Sequence, residues 1–151
     1  MKYRTFLVED EPVAIQNLER LLSIHTDKLD IIGKAANGID AVSAINNLKP
    51  DLIFLDIQIP GLTGFEVLSR LEHLPLVIFT TAFSEFAMKA FETHAVDYIL
   101  KPISQQKIEN ALNKLEHFSR NPDWKSLMQS LINDLTKTTR LAIPFNLTFA
   151  L

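Results

Sequence analysis

Short apolar segments rich in β-branched and aromatic residues alternate five times with stretches of helical periodicity, and this limits the chain to a narrow set of folds. Strands are expected at Thr5–Val8, Asp30–Ala35, Leu52–Leu55, Leu76–Thr80 and Asp97–Leu100. Between and after them, helices are expected at Pro12–Ser23, Ile39–Leu48, Thr63 to about Leu71, Ser84–Thr93 and Ser104–Phe118. Ile15, Leu18, Leu21 and Leu22 form the stripe of the first helix, and Ile108, Ala111, Leu112 and Leu115 that of the last. Such alternation predicts an α/β fold in which a parallel sheet carries helices on both faces. In sheets of this kind, sites lie outside the carboxyl ends of the strands.

The residues that follow the strands are chemically matched. Glu9-Asp10 follows Phe6-Leu7-Val8, Asp56 follows Leu52-Ile53-Phe54-Leu55, Thr81 follows Val77-Ile78-Phe79-Thr80, and Lys101 follows Tyr98-Ile99-Leu100. A parallel sheet brings all of them to one edge. A carboxylate held by a buried strand and open to a loop can serve as a nucleophile toward phosphorus once cations neutralise the anionic oxygens. An acid after a strand is also a common cap, so Asp56 gains its meaning from its neighbours. Glu9 and Asp10 offer hard oxygens suited to magnesium, and acids packed together repel unless a cation joins them. Glu11 reads as a solvated residue favouring the helix start. The Thr81 hydroxyl can bond a phosphoryl oxygen; Thr80 is its rival, and strand alternation lets only one of them serve. Lys101 can act as counter-ion to acids and phosphate alike, and Pro102 after it can hold a cis peptide. Tyr98 on the last strand can swing inward or outward as Thr81 moves.

Composition narrows the partners. A formal net charge of −3 and a pI near 5.8 give this chain no electrostatic basis for binding nucleic acid alone. There is no cysteine for disulfide or thiol chemistry. Met1-Lys2-Tyr3-Arg4 runs straight into a strand without a signal peptide, and no apolar run approaches membrane-spanning length. A cytoplasmic protein without membrane contact is expected. His25, His73, His94 and His117 show no metal-ligand or triad spacing.

Phe6-Leu7-Val8-Glu9-Asp10-Glu11-Pro12, Phe54-Leu55-Asp56-Ile57-Gln58-Ile59-Pro60-Gly61, Thr81-Ala82 and Asp97-Tyr98-Ile99-Leu100-Lys101-Pro102 together resemble the receiver domain of bacterial two-component response regulators. The resemblance covers roughly residues 1–118. It implies a flavodoxin-like, doubly wound five-stranded sheet of order 2-1-3-4-5. It implies that Asp56 accepts a phosphoryl group from a sensor histidine kinase. Magnesium would be coordinated by Asp10, Asp56 and the Gln58 backbone carbonyl, with Glu9 assisting. Thr81 and Lys101 would contact the phosphoryl oxygens, and Tyr98 would follow the switch. The run Thr81–Phe91 and the Asp97-Tyr98 pair look like the LytTR (LytR/AlgR-like) branch, whose members carry a β-rich DNA-binding domain after the receiver.

Beyond Phe118, Ser119-Arg120-Asn121-Pro122 reads as a break. Residues 119–140 are then expected as a linker, with an amphipathic helix carried by Trp124, Leu127, Met128, Leu131 and Leu135. Leu141–Leu151 is apolar and strand-like, at most the truncated start of an output domain. A homodimer is expected on activation through the Ser84–Thr93 helix, the last strand and the last helix, with DNA contacted only through the absent output domain. Two other readings compete: a stand-alone interaction module or phosphate sink, and a phosphatase of the haloacid-dehalogenase type. The second usually carries another aspartate two positions after its nucleophile, where this chain has Gln58.

Overall fold

A computed structural model describes residues 2–82 and 97–141. The expected helix Ser84–Thr93 and the segment after Leu141 lie outside the described residues. Strands β1 (Tyr3–Val8), β2 (Leu29–Ala35), β3 (Leu52–Asp56), β4 (Leu76–Thr81) and β5 (Asp97–Leu100) form one parallel sheet of order β2-β1-β3-β4-β5. The helices are α1 (Pro12–Leu22), α2 (Gly38–Leu48), α3 (Gly64–Ser69), α4 (Gln105–Arg120) and α5 (Trp124–Leu141). This is the expected doubly wound, flavodoxin-like arrangement.

Strand alternation builds two cores. Phe6, Val8, Ile53, Leu55, Val77 and Phe79 face α2 and α3, while Leu7, Leu52, Phe54, Leu76, Ile78 and Ile99 face α1 and α4. β3 is buried along its whole length, as a central parallel strand must be. Each large side chain taken out of water there contributes roughly 1.5–3 kcal/mol. The α1 stripe buries Leu18, Leu21 and Leu22, and the α4 stripe buries Ile108, Ala111, Leu112 and Leu115.

Boundaries differ from expectation in places, each for a local reason. The third helix is shorter, ending at Ser69. Its start is fixed by a capping box in which Thr63 and Glu66 satisfy each other's backbone N–H. The last core helix runs on through Ser119 to Arg120, and the break falls at Asn121–Asp123, where the Asn121 side chain accepts from the Asp123 N–H. α5 continues through the polar Thr136–Arg140 to Leu141. It also returns to the domain, burying Met128 and Ile132 in the core on the α3 side.

Candidate functional site

Register sets the site. Val8 pairs with Leu55, and Asp56 pairs with Thr80, so the residues after β1 and β3 emerge side by side at the carboxyl edge. Thr81 pairs with Leu100, and the Lys101 N–H donates to the Thr81 carbonyl at 2.7 Å, which brings the end of β5 to the same edge. Glu9, Asp10 and Asp56 each place a carboxylate oxygen within 4.8 Å of the others.

Lys101 joins the acids. Its Nζ donates to Glu9 Oε1 at 2.6 Å and to Asp56 Oδ2 at 2.9 Å. The other oxygen of each buried carboxylate is held from below: Asp56 Oδ1 accepts from the Gln58 N–H at 3.1 Å, and Glu9 Oε2 from the Glu11 N–H at 3.1 Å. Glu9 and Asp56 are each 4% exposed. Burial pushes the Asp56 carboxyl up to about 6, against the opposing hydrogen bond and charge of Lys101, with Glu9 adding to the rise. Burial also raises Asp10. Burial alone would lower Lys101, but its hydrogen bonds and charge pairing with Glu9 and Asp56 outweigh that and raise it. Among the described residues, three carboxylates thus face one ammonium.

Above Asp56 opens a depression of about 480 Å³, lined by Asp10, Asp56, Gln58, Ala82, Lys101 and the loop Ile59–Thr63. Gly61 in that loop has φ 90°, a left-handed conformation natural to glycine. Gly64 lets α3 approach closely: a Cβ there would stand 2.8 Å from the Asp56 carbonyl oxygen.

The expected site residues divide into two groups. Glu9, Asp10, Asp56 and Lys101 come together, with Gln58 beside them through its backbone. Thr81 is fully buried at the end of β4, and Ala82 forms the wall of the depression at that point. Leu76 and Ile78 turn toward α4 while Val77 and Phe79 turn toward α3, so alternation places Thr80 and Thr81 on opposite sides. Tyr98 is half-buried, in register with Phe79 and packed against the α3-side core. The Lys101–Pro102 peptide is cis.

Two supports escaped the sequence reading. The Lys107 ammonium donates to the carbonyls of Leu100 and Pro102, at 2.8 and 2.9 Å, fixing the backbone on both sides of Lys101. Gly64 is the other, since its need for close approach depends on how α3 docks. A lysine two residues into a helix carries no signal of either partner, and a glycine beside Thr63 reads simply as a helix start.

The comparisons agree with this architecture. The family described as "Response regulator receiver domain" matches residues 5–113. The transcriptional regulatory protein BtsR of Salmonella typhi is 46% identical over 114 residues, covering 74% of this chain and 47% of that protein. The chain therefore spans about half the length of the curated relatives it matches. Among solved structures, the response regulatory domain of mrkE from Klebsiella pneumoniae aligns with a TM-score of 0.64 and 38% identity, over 82% of this chain and 98% of that one. A DNA-binding response regulator of the LuxR family from Staphylococcus aureus aligns with a TM-score of 0.63 and 33% identity, over 75% and 98% of the two chains. With the sheet order, the acidic edge and the family match in agreement, the chain belongs to the response regulator receiver domains of two-component systems.

Proposed function

We propose that this receiver is switched by phosphorylation of Asp56. The observation that carries the reading is a buried carboxylate at the floor of an open depression, with an ammonium 2.9 Å away and two more acids beside it. One carboxylate oxygen of Asp56 attacks the phosphorus of a phosphohistidine on a sensor kinase. The P–O bond forms as the P–N bond breaks, and the imidazole leaves with the electron pair and takes up a proton. Lys101 would follow the transferred oxygens, and Thr81 would bond one of them when the end of β4 moves toward it. Receiver domains are not classical turnover enzymes, and self-dephosphorylation at the same site is part of this proposal.

The donor set fits magnesium: hard carboxylate oxygens close together, beside open space for the waters that the ion retains. Glu9, Asp10, Asp56 and the Gln58 carbonyl would hold it, and it would supply positive charge against phosphoryl oxygens. Joined to an output domain, the receiver would control transcription, a reading supported by the transcriptional regulatory name of BtsR. The Asp97-Tyr98 pair and the run from Thr81 to Phe91 support an output domain of LytTR type. Dimerisation through β5, α4 and the Ser84–Thr93 segment would pair such domains on DNA; that segment lies outside the described residues.

Intact mass after incubation with magnesium and acetyl phosphate tests the core of this reading. One added phosphoryl group is expected on the native chain and none on Asp56→Asn. An adduct that persists on Asp56→Asn would reject Asp56 as the acceptor.

A further inference from the structure

α5 is the one described element that lies outside the sheet-helix alternation and yet is built into the core. Met128 is fully buried and Ile132 is 2% exposed, while Lys125, Ser126, Gln129, Ser130, Asn133 and Asp134 face solvent. Trp124, Met128 and Ile132 recur at intervals of four and so share one face of the helix. That face enters the cluster formed by Phe65, Val67 and Leu68 of α3 with Val77 and Phe79 of β4. Among the residues whose burial is described, α5 buries Met128 and Ile132, and α4 buries Ile108, Ala111, Leu112 and Leu115.

The face it covers leads to the site. Val77 and Phe79 alternate along β4 with Thr81 as the next residue on that side. Phe79 meets Phe65 edge to face at 5.7 Å, and α3 begins at Gly64 against the carbonyl of Asp56. α3, on which α5 packs, therefore begins at the Asp56 site, and through Phe65 it meets Phe79 of β4. In the arrangement that docks α5, Lys101 is bonded directly to the Asp56 carboxylate. A phosphoryl group entering between them would push on Lys101, whose N–H is bonded to the Thr81 carbonyl at the end of β4, and on Asp56, whose carbonyl abuts the start of α3; a close-packed face does not follow such a shift continuously.

We propose that α5 is a detachable helix whose docking on α3 is coupled to the state of Asp56, so that phosphorylation releases it. The inference rests on the phosphorylation reading above. Linkage makes it reciprocal: whatever holds α5 in place weakens phosphorylation by the same factor. The Asn121–Asp123 break keeps the released helix close, which favours its return.

The chain has no cysteine, so a single introduced thiol reports on docking without background. Met128→Cys in the full chain would be labelled with a disulfide reagent, with Ser126→Cys as the exposed reference and Ala111→Cys as a buried reference in α4. Intact mass on the same samples reports the Asp56 adduct. With the adduct present, labelling of Met128→Cys should rise about fivefold or more, while both references stay unchanged. Ile132→Cys should behave in the same way and serves if Met128→Cys does not fold. An adduct with unchanged labelling at both positions overturns the coupling and leaves the receiver reading standing. A rise shared by Ala111→Cys also overturns it, because the whole domain is then loosening. No adduct on the native chain removes the phosphorylation reading and the coupling with it.

Discussion

Asp56 is held at a cost to the fold. In the unfolded chain its carboxyl titrates near the ordinary 3.8, whereas burial holds it at about 6 in the folded one. With the folded value above the unfolded one, the native state prefers the protonated form. Stability is then greatest below about pH 4 as far as this group is concerned, and is lost as pH rises from about 4 to 6. Asp56→Asn should therefore stabilise the metal-free chain at pH 7 by about 1–2 kcal/mol, a gain reduced because Lys101 loses one partner. The gain should vanish near pH 4, and urea denaturation in the presence of a chelator at both values checks it. A substitution that abolishes the chemistry and strengthens the fold marks a position kept for function. The gathering of Asp56, Glu9, Asp10 and Lys101 was legible in the sequence because they stand at the ends of apolar strands. The Glu9–Lys101 bond was not, since which acid the ammonium chooses depends on distances of a few tenths of an ångström.

At the scale of elements, the loop and helix after β3 act as one device for aiming Asp56. Gly64 N–H donates to the Ile57 carbonyl at 2.8 Å, and Gly38 N–H to that of Pro60 at 2.8 Å, so the loop is pinned from two helix starts. Gly64→Ala would force a Cβ to within 2.8 Å of the Asp56 carbonyl oxygen and 3.1 Å of Ile57 Cα. It should cost about 1–3 kcal/mol in stability. Because the atom that must move belongs to Asp56 itself, the rate of adduct formation should fall by about tenfold or more. Comparing that rate with the denaturant midpoint separates the two effects; a loss of stability with an unchanged rate would show that the nucleophile is not positioned through α3. Element identity was readable from periodicity. The ends were less so: α4 passes through Ser119 and Arg120, residues that suggest a break but have high enough helix propensity when the preceding turns are packed.

For the whole molecule, magnesium held as proposed at the acidic edge would make cation binding and folding a single equilibrium. Magnesium at about ten times its dissociation constant should add roughly 1.4 kcal/mol to stability, raising Tm by roughly 4–6 °C for a chain of this size. Asp10→Asn should remove most of that rise, and thermal scans with and without the ion measure both. Among the described residues no helix is long and apolar enough to cross a membrane. The alternation of strands and helices, the two-faced packing and the gathering of Glu9, Asp10, Asp56 and Lys101 at one edge were readable from the sequence by itself, whereas the strand order came from the family resemblance. The reason is that period-2 and period-3.6 apolar patterns admit few ways to bury themselves, and parallel strands all point their ends the same way. What only the tertiary structure decided is where α5 goes and how the site is braced. An amphipathic stripe states that a helix must cover something, not what it covers. The choice of the α3-side core for Met128 and Ile132, like the reach of Lys107 to Leu100 and Pro102, is made by surfaces that exist only once the rest of the chain has folded.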